Sequence, residues 1–450
     1  MAETEILAEF VTETELADVP PDVRAKAKEA ITDFVGVALF GSQHEVGETM
    51  WSHVSSVAAG DDATVICRGT ASPTGAALAN GAFGHAVDYD DTFESIVIHP
   101  TSPVFSAALA AGEAADASGA EILAGYVVGV EAAFRTGHAT YPSHYDNGWH
   151  STGTVGTFGA TAAAASVLGL STDETRHAFG VAASSSSSLK KNFGTMTKPY
   201  HAGHAAQMGV RAAMLAADGF TADADVFEGP IGYGEVMTPG GTYDPSEITD
   251  GLGDSWAVMD VGYKPYPSGV ITHAAMDALR GILVDEGLTA DDVESVTVAL
   301  DDAASEMLHH ENPEDALQAK FSIEFCLAAI LRERDAGIRE FTDDYLDAPE
   351  TRAEMAKVSR AFEENLFGGD FANYAARVSV TTTDGETFTA EEKHAPGSPN
   401  NPISDERMRA KFDECASVVL ADSDAEAAYE AIRSLDEAGA LDRLRDAVRP

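Results

Sequence analysis

Between Asn80 and Val104 the chain reads NGAFGHAVDYDDTFESIVIHPTSPV, and nowhere else do histidines, carboxylates and hydroxyls crowd so closely. His85, Asp88, Asp90, Asp91 and His99 are the ligand types of a divalent metal site. No H-x-x-x-H or tight carboxylate repeat fixes a coordination geometry, so no metal is expected. The plainer reading of Asp90, Asp91 and Thr92 is a turn and helix cap, and that of His99, before Pro100, is a hydrogen-bonded loop histidine.

Three further stretches carry chemistry. Gly148–Gly156, GWHSTGTVG, is a glycine-punctuated loop opening an Ala-rich helix, whose N–H groups, with Ser151 and Thr152, suit an anion; the alternative is a capped helix with His150 as a core histidine. Gly194–His204, GTMTKPYHAGH, precedes another helix and adds Lys198, His201 and His204. Lys264–His273, KPYPSGVITH, joins two regions of different texture and places His273 at a helix start beside a rigid turn. Lys190, Lys191, Lys198 and Lys264 are four of only ten lysines in a chain of formal net charge -46. Cations kept in or beside apolar and Gly-rich segments point to an anion.

These residues need elements to hold them. Pro73–Val87 reads as helix, interrupted by the turn formers Asp90 to Thr92 and by Pro100 and Pro103, with a second helix capped by Thr101 or Ser102 and running to Ala115. Thr4–Ser42 holds one amphipathic helix, Pro21–Leu39, and Ala63–Cys67 is a strand or buried connection. Long Ala/Gly-rich segments follow (Ser106–Ala117, Glu121–Ala139, Thr152–Leu170, Asp173–Ala183, Ala202–Ala217), whose small side chains let helices pack closely. Ser184–Ser188 reads as a flexible loop.

After Trp256, Val293–Leu300 alternates as a strand, and Ala376–Thr389 reads as a hairpin around Asp384-Gly385, with helices His273–Glu286 and Lys320–Arg334 among them. Beyond the linker His394–Pro402, helices Ser404–Leu420, Ala425–Leu435 and Leu441–Val448 return to the first domain. The fold class is therefore mainly α with a smaller α+β domain: a large helical domain over residues 1–265, an α+β lid over 266–402, and C-terminal helices over 403–450 that complete the first.

The 450 residues, 44% hydrophobic, suffice for two cores. With 74 acidic residues against 28 basic ones spread along the chain, the surface repels nucleic acid and anionic membranes, and its even acidity matches a protein adapted to high salt. No stretch has the length of a signal or membrane span, and three dispersed cysteines imply neither a disulfide framework nor zinc, so a cytoplasmic protein is expected.

Taken in order, N-G-x-x-x-H-x-x-D-[FY]-D-D-T then H-P, G-[FW]-H-x-T, G-T-x-x-K-x-x-H-x-G, K-P-Y-P-x-x-x-x-x-H and A-K-F-S-I-E-[FY] resemble the MmgE/PrpD family over nearly the whole chain. The family includes 2-methylcitrate dehydratase, cis-aconitate decarboxylase and an iminodisuccinate epimerase. The resemblance implies a helical domain with an α+β lid, a homodimer, a small carboxylate substrate, and neither metal nor organic cofactor. By motif, Asp88, Thr92, His99, His150, Lys198, His201 and His273 become site positions.

The implied chemistry makes or breaks a C–H bond beside a carboxylate, which needs cations to hold the substrate and a flanking base and acid. The assignment is catalytic Asp88, Thr92, His99, His273 and His150, with Lys198, His201, Thr152 and Lys264 binding substrate. His99 or His273 is the base, and Asp88 orients a histidine. The loop has one residue more between Thr92 and His99 than the decarboxylase pattern, and Phe325 stands where that pattern has tyrosine. The expected function is thus a lyase dehydrating 2-methylcitrate, as in propionate metabolism, or a related hydroxy acid. The alternatives are decarboxylation, epimerisation, or non-catalytic binding of a carboxylate or metal.

Overall fold

The computed structural model describes residues 2–302, 304, 307–368 and 374–449. The chain divides into two compact units, Met1–Val261 with Cys415–Pro450, and Gly262–Glu414.

The first unit is helical apart from a short ribbon in which Ala63–Val65 pairs antiparallel with Gly69–Ala71. At its centre lies the helix Ser151–Val167, with every residue but Ser166 buried, because alanine, glycine and threonine leave nothing that must reach solvent. Gly119–Thr140, Thr101–Ala114 and Thr197–Ala217 pack around it, and Thr197–Ala217 also packs on Pro73–Gly84. Asp422–Arg433 lies against Pro21–Gly41.

Two local expectations need correction. The N-terminal segment holds a second helix, Glu3–Glu13, which buries Leu7, Ala8 and Val11; its acidic outer face hid this short apolar stripe. Neither Thr101 nor Ser102 caps the helix before Phe105. Both lie in its first turn, and the carboxylate of Asp91, ten residues back, accepts the Thr101 N–H at 3.3 Å.

In the second unit the sheet order is Val358–Glu363, Val293–Asp301, Ala376–Thr382, Thr387–Glu392, with the first pair parallel and the others antiparallel. The hairpin turns at Gly385, where φ is 91°. Val358–Glu363 escaped sequence reading because it is a half-exposed edge strand with no buried alternate face. His273–Asp285 covers Ala376–Thr382 and Thr387–Glu392, and Ile323–Glu333 packs on His273–Asp285. Among the described residues no helix is long and apolar enough to cross a membrane.

Glycine sets the spacing that matters most for the site. Gly81 and Gly203 face each other where Pro73–Gly84 meets Thr197–Ala217, and a Cβ on Gly203 would run into the Leu78 carbonyl oxygen and the Ala82 nitrogen. Gly203→Ala is expected to cost about 1–3 kcal/mol by overpacking, and Gly203→Val more. Thermal unfolding should show the ranked loss, and an unchanged melting temperature in Gly203→Val would mean that this crossing does not set the spacing.

Candidate active site

The helix Pro73–Gly84 begins at Ser72, whose hydroxyl accepts the Gly75 N–H at 3.3 Å, and ends at His85. Three residues on, Asp88 adopts a left-handed backbone with φ 58°, a conformation Asp tolerates better than most residues. The loop then closes through a bridge between Phe93 and Ile98. His99 is fixed at the far end: its N–H donates to Thr152 Oγ1 at 3.1 Å, and its Nδ1 lies 2.8 Å from the Asp91 carbonyl oxygen.

A carbonyl can only accept, so His99 Nδ1 carries a proton, and in the neutral ring Nε2 holds the lone pair. That Nε2 lies 3.6 Å from Asp88 Oδ1, which in turn sits 2.8 Å from Lys198 Nζ. Lys198 stands in the first turn of Thr197–Ala217, buried against the Phe193 ring, whose centroid is 5.5 Å from Nζ. One turn along the same helix face, His201 Nδ1 meets His150 Nδ1 at 3.0 Å.

Burial is the leading cause of each histidine shift here. It holds His150 well below its usual range, and brings His85 and His201 down to about 4, with the nearby Lys198 cation acting in the same direction on all three. His150 and His201 are therefore neutral near pH 7, one donating to the other. One of the two then presents a protonated Nε2 and the other a lone pair at that position.

Asp90 is fully buried, and burial alone would raise its pKa. His85 and His99 outweigh that and hold it well below the usual carboxylate range. Its oxygens lie 2.9 and 3.0 Å from His85 Nδ1, and Ser102 Oγ donates to Oδ2 at 2.7 Å. Of this pair, Asp90 is the anion and His85 the neutral partner. Asp91 is pushed well above the ordinary range by burial, against the opposing hydrogen bonds from Thr101.

The first unit thus brings Asp88, His99, Lys198, His150, His201 and Thr152 together, with Thr92 buried next to Asp91. Thr152 uses its oxygen to hold the His99 backbone. Asp88 lies on the Nε2 side of His99 and is tied to Lys198, so it does not support His99 from behind. Sequence reasoning named His85 and Asp90 only as metal-ligand types or turn formers, left them out of the catalytic and binding assignment, and missed Phe193.

Lys264 and His273 belong to the second unit. The Lys264 carbonyl accepts from Lys411 Nζ at 2.9 Å, and His273, buried edge-on to Tyr266, has Nε2 3.3 Å from the Ser268 carbonyl oxygen. Phe325 is fully buried in that unit's core, against Phe341 at 5.3 Å and Tyr345 at 6.2 Å.

His85, Asp88, Asp90 and His99 each offer one potential ligand atom within 4.8 Å of the others. The donor set suits a divalent cation, but Lys198 already supplies a cation to Asp88, so one of the two carboxylates nearest His99 is already neutralised.

The buried neutral histidines give a pH signature. Each has a folded pKa below its unfolded value of 6.5, so its contribution to stability is full above about pH 6.5 and is lost as pH falls toward 4. For His85 alone the loss at pH 5 is about 2 kcal/mol. Between pH 7.5 and 5 the melting temperature of wild type should fall relative to that of His85→Asn, a difference that cancels the opposing effect of buried carboxylates such as Glu94. Equal slopes for the two proteins would refute the neutral, buried state of His85.

Comparison with known proteins agrees with this arrangement of motifs. The MmgE/PrpD N-terminal domain model matches residues 5–246 and the MmgE/PrpD C-terminal domain model residues 266–437. The chain is 27% identical to human cis-aconitate decarboxylase, covering 96% of this chain and 92% of that protein. It is 27% identical to cis-aconitate decarboxylase of Aspergillus terreus, covering 93% and 90%, and 28% identical to cis-aconitate decarboxylase-like protein oryM of Aspergillus oryzae, covering 92% and 90%. With both domain models matched in order across most of its length, the chain belongs to the MmgE/PrpD family.

Proposed function

We propose that this chain is a cofactor-independent lyase that removes a proton beside a carboxylate of a small di- or tricarboxylate, and that it dehydrates 2-methylcitrate or a related hydroxy acid. The observation that carries the reading is His99, a buried imidazole with Nδ1–H tied to a carbonyl and a basic Nε2 facing the Asp88–Lys198 pair. Lys198 attracts a substrate carboxylate and stabilises the negative charge that develops as the C–H bond breaks.

Dehydration requires a base and an acid together. His99 Nε2 takes the proton from carbon, and the C–H electron pair becomes the C=C bond as the C–O bond breaks. The departing hydroxide leaves as water with a proton from the His150–His201 pair or Thr92. A neutral histidine pair sharing one Nδ1 proton always has one Nε2–H to give, which supports an elimination. His273 stands as a second candidate base, with Nε2–H directed at Ser268 and Nδ1 as its accepting nitrogen. Lys264 is retained as a binding cation. The reading makes the enzyme a cytoplasmic homodimer.

A second reading, decarboxylation of cis-aconitate, is favoured by the names of the relatives above. Phe325 is a weak argument against it, because its ring is fully buried in the core of the second unit.

The test is a panel of hydroxy and unsaturated tricarboxylates incubated in D2O at high salt and followed by NMR. The expected result is an alkene and water from a hydroxy acid, with deuterium entering the remaining hydroxy acid, at the carbon beside the carboxylate, as the deprotonation reverses. Lys198→Ala should lower kcat/KM by about 10- to 100-fold. Itaconate from cis-aconitate, with no loss of water from any hydroxy acid, would establish the second reading instead. Binding without isotope exchange would remove the enzyme reading altogether.

A further inference from the structure

The carboxylate best placed to support a base at His99 is one that the motif reading treated as a turn former. His99 has a proton-bearing Nδ1 and a basic Nε2, and the two Asp side chains nearest it lie at opposite ends of the ring. Asp88 Oδ1 is 3.6 Å from Nε2, and Asp90 Oδ1 is 3.4 Å from Nδ1. Asp88 is engaged by Lys198. Asp90 is surrounded by the ring nitrogens of His85 and His99 and the hydroxyl of Ser102.

We infer that Asp90 is the positioning residue of this site, a single buried carboxylate that holds the Nδ1–H of both His85 and His99 and keeps Nε2 of each as the proton-accepting end. The inference rests on the proposed role of His99 as base. Asp90 does not touch substrate; it acts through the ring it supports.

Three features make this more than proximity. First, Asp90 is immobilised: Oδ2 takes the Ser102 hydroxyl at 2.7 Å, and His85 Nδ1 lies within 3.0 Å of both oxygens. Oδ1 is thereby held beside His99 rather than free to rotate away. Second, His85 Nε2 is buried without a hydrogen-bond partner among the described residues. A histidine that leaves one nitrogen unsatisfied in a packed interior is held by its other nitrogen, which here means by Asp90. Third, the His85 and His99 rings are 4.4 Å apart between centroids, and His85 stacks on His150 at 5.9 Å. Moving Asp90 would therefore disturb the three imidazoles together.

The electrostatic consequence follows from the groups around His99. Asp88, Asp90 and Lys198 are the charged groups facing it, and His85 and His150 are neutral neighbours. When Nε2 accepts a proton from carbon, the ring becomes a cation in a buried place. Its Nδ1–H then points between the Asp91 carbonyl and the Asp90 anion, and the positive charge forms 3.4 Å from a fixed negative one. Without that charge, proton transfer to His99 would create an uncompensated buried cation.

Two measurements test this, and they separate it from the proposed reaction. In wild-type protein without substrate, 15N NMR of the imidazole rings should show His85 and His99 both protonated at Nδ1. An Nε2–H signature at His99 would overturn the inference whatever the enzyme does. On the substrate that the panel identifies, Asp90→Asn should lower kcat about 100-fold or more with KM nearly unchanged, and should move the acid limb of the kcat profile to lower pH. His85→Asn, which keeps an N–H donor for Asp90, should lower kcat less than Asp90→Asn does. A kcat loss in Asp90→Asn with the acid limb in place, or a His85→Asn variant as inactive as Asp90→Asn, would contradict a positioning role. If wild-type protein acts on no acid in the panel, the proposed function fails, and the tautomer of His85, whose Nδ1 meets the two Asp90 oxygens, still decides on Asp90.

Discussion

The helices of the first unit approach one another as closely as they do because the residues at their crossings have almost no side chain. Gly81 against Gly203, and Gly129 against Gly159, are contacts in which any Cβ would meet backbone or a neighbouring side chain. The site depends on this constraint. Lys198 and His201 ride on Thr197–Ala217, His150 and Thr152 on the start of Ser151–Val167, and His85 on the end of Pro73–Gly84. A wider spacing would separate the Lys198 ammonium from Asp88 and the His150 ring from His201, and both contacts are short.

Close packing also imposes a cost that the site's composition offsets. A carboxylate or ammonium removed from water is expensive unless it is paired and hydrogen-bonded. The cluster meets this condition by matching each ion to a partner: Asp88 to Lys198, and Asp90 to the donors of His85, His99 and Ser102. The remaining imidazoles are kept neutral by burial. The outcome is a cluster in which His99 Nε2 faces an Asp88 carboxylate paired with Lys198 and a neutral histidine pair shares one proton, which is the pre-organisation that the proposed proton abstraction needs.

Much of the architecture was legible from texture alone. Ala/Gly-rich runs between punctuating Gly, Pro and Ser gave the helices of the first unit, and the Asp384-Gly385 turn gave the hairpin, because small-residue helices and two-residue turns have local signatures. The edge strand Val358–Glu363 and the helix Glu3–Glu13 were not legible, since each buries only a narrow apolar stripe. At the site, the motifs named most of the residues that the first unit brings together. They did not show which aspartate serves which histidine. A reading of spacing carries no information on the left-handed backbone at Asp88, on the pairing of Asp88 with Lys198 or on that of Asp90 with His85. Phe325 was misjudged for a related reason: its place in a motif suggested a site position, whereas its ring faces a core.

The central claim is that Lys198 and His99 act on one carbon and its carboxylate. A crystal structure of the protein with an unreactive tricarboxylate bound tests it most directly. The account predicts one carboxylate within hydrogen-bonding distance of Lys198 Nζ, and the adjacent carbon facing His99 Nε2 at about 3–3.5 Å. A tricarboxylate bound with its carboxylates on other cations, and with no carbon within reach of His99, would contradict it.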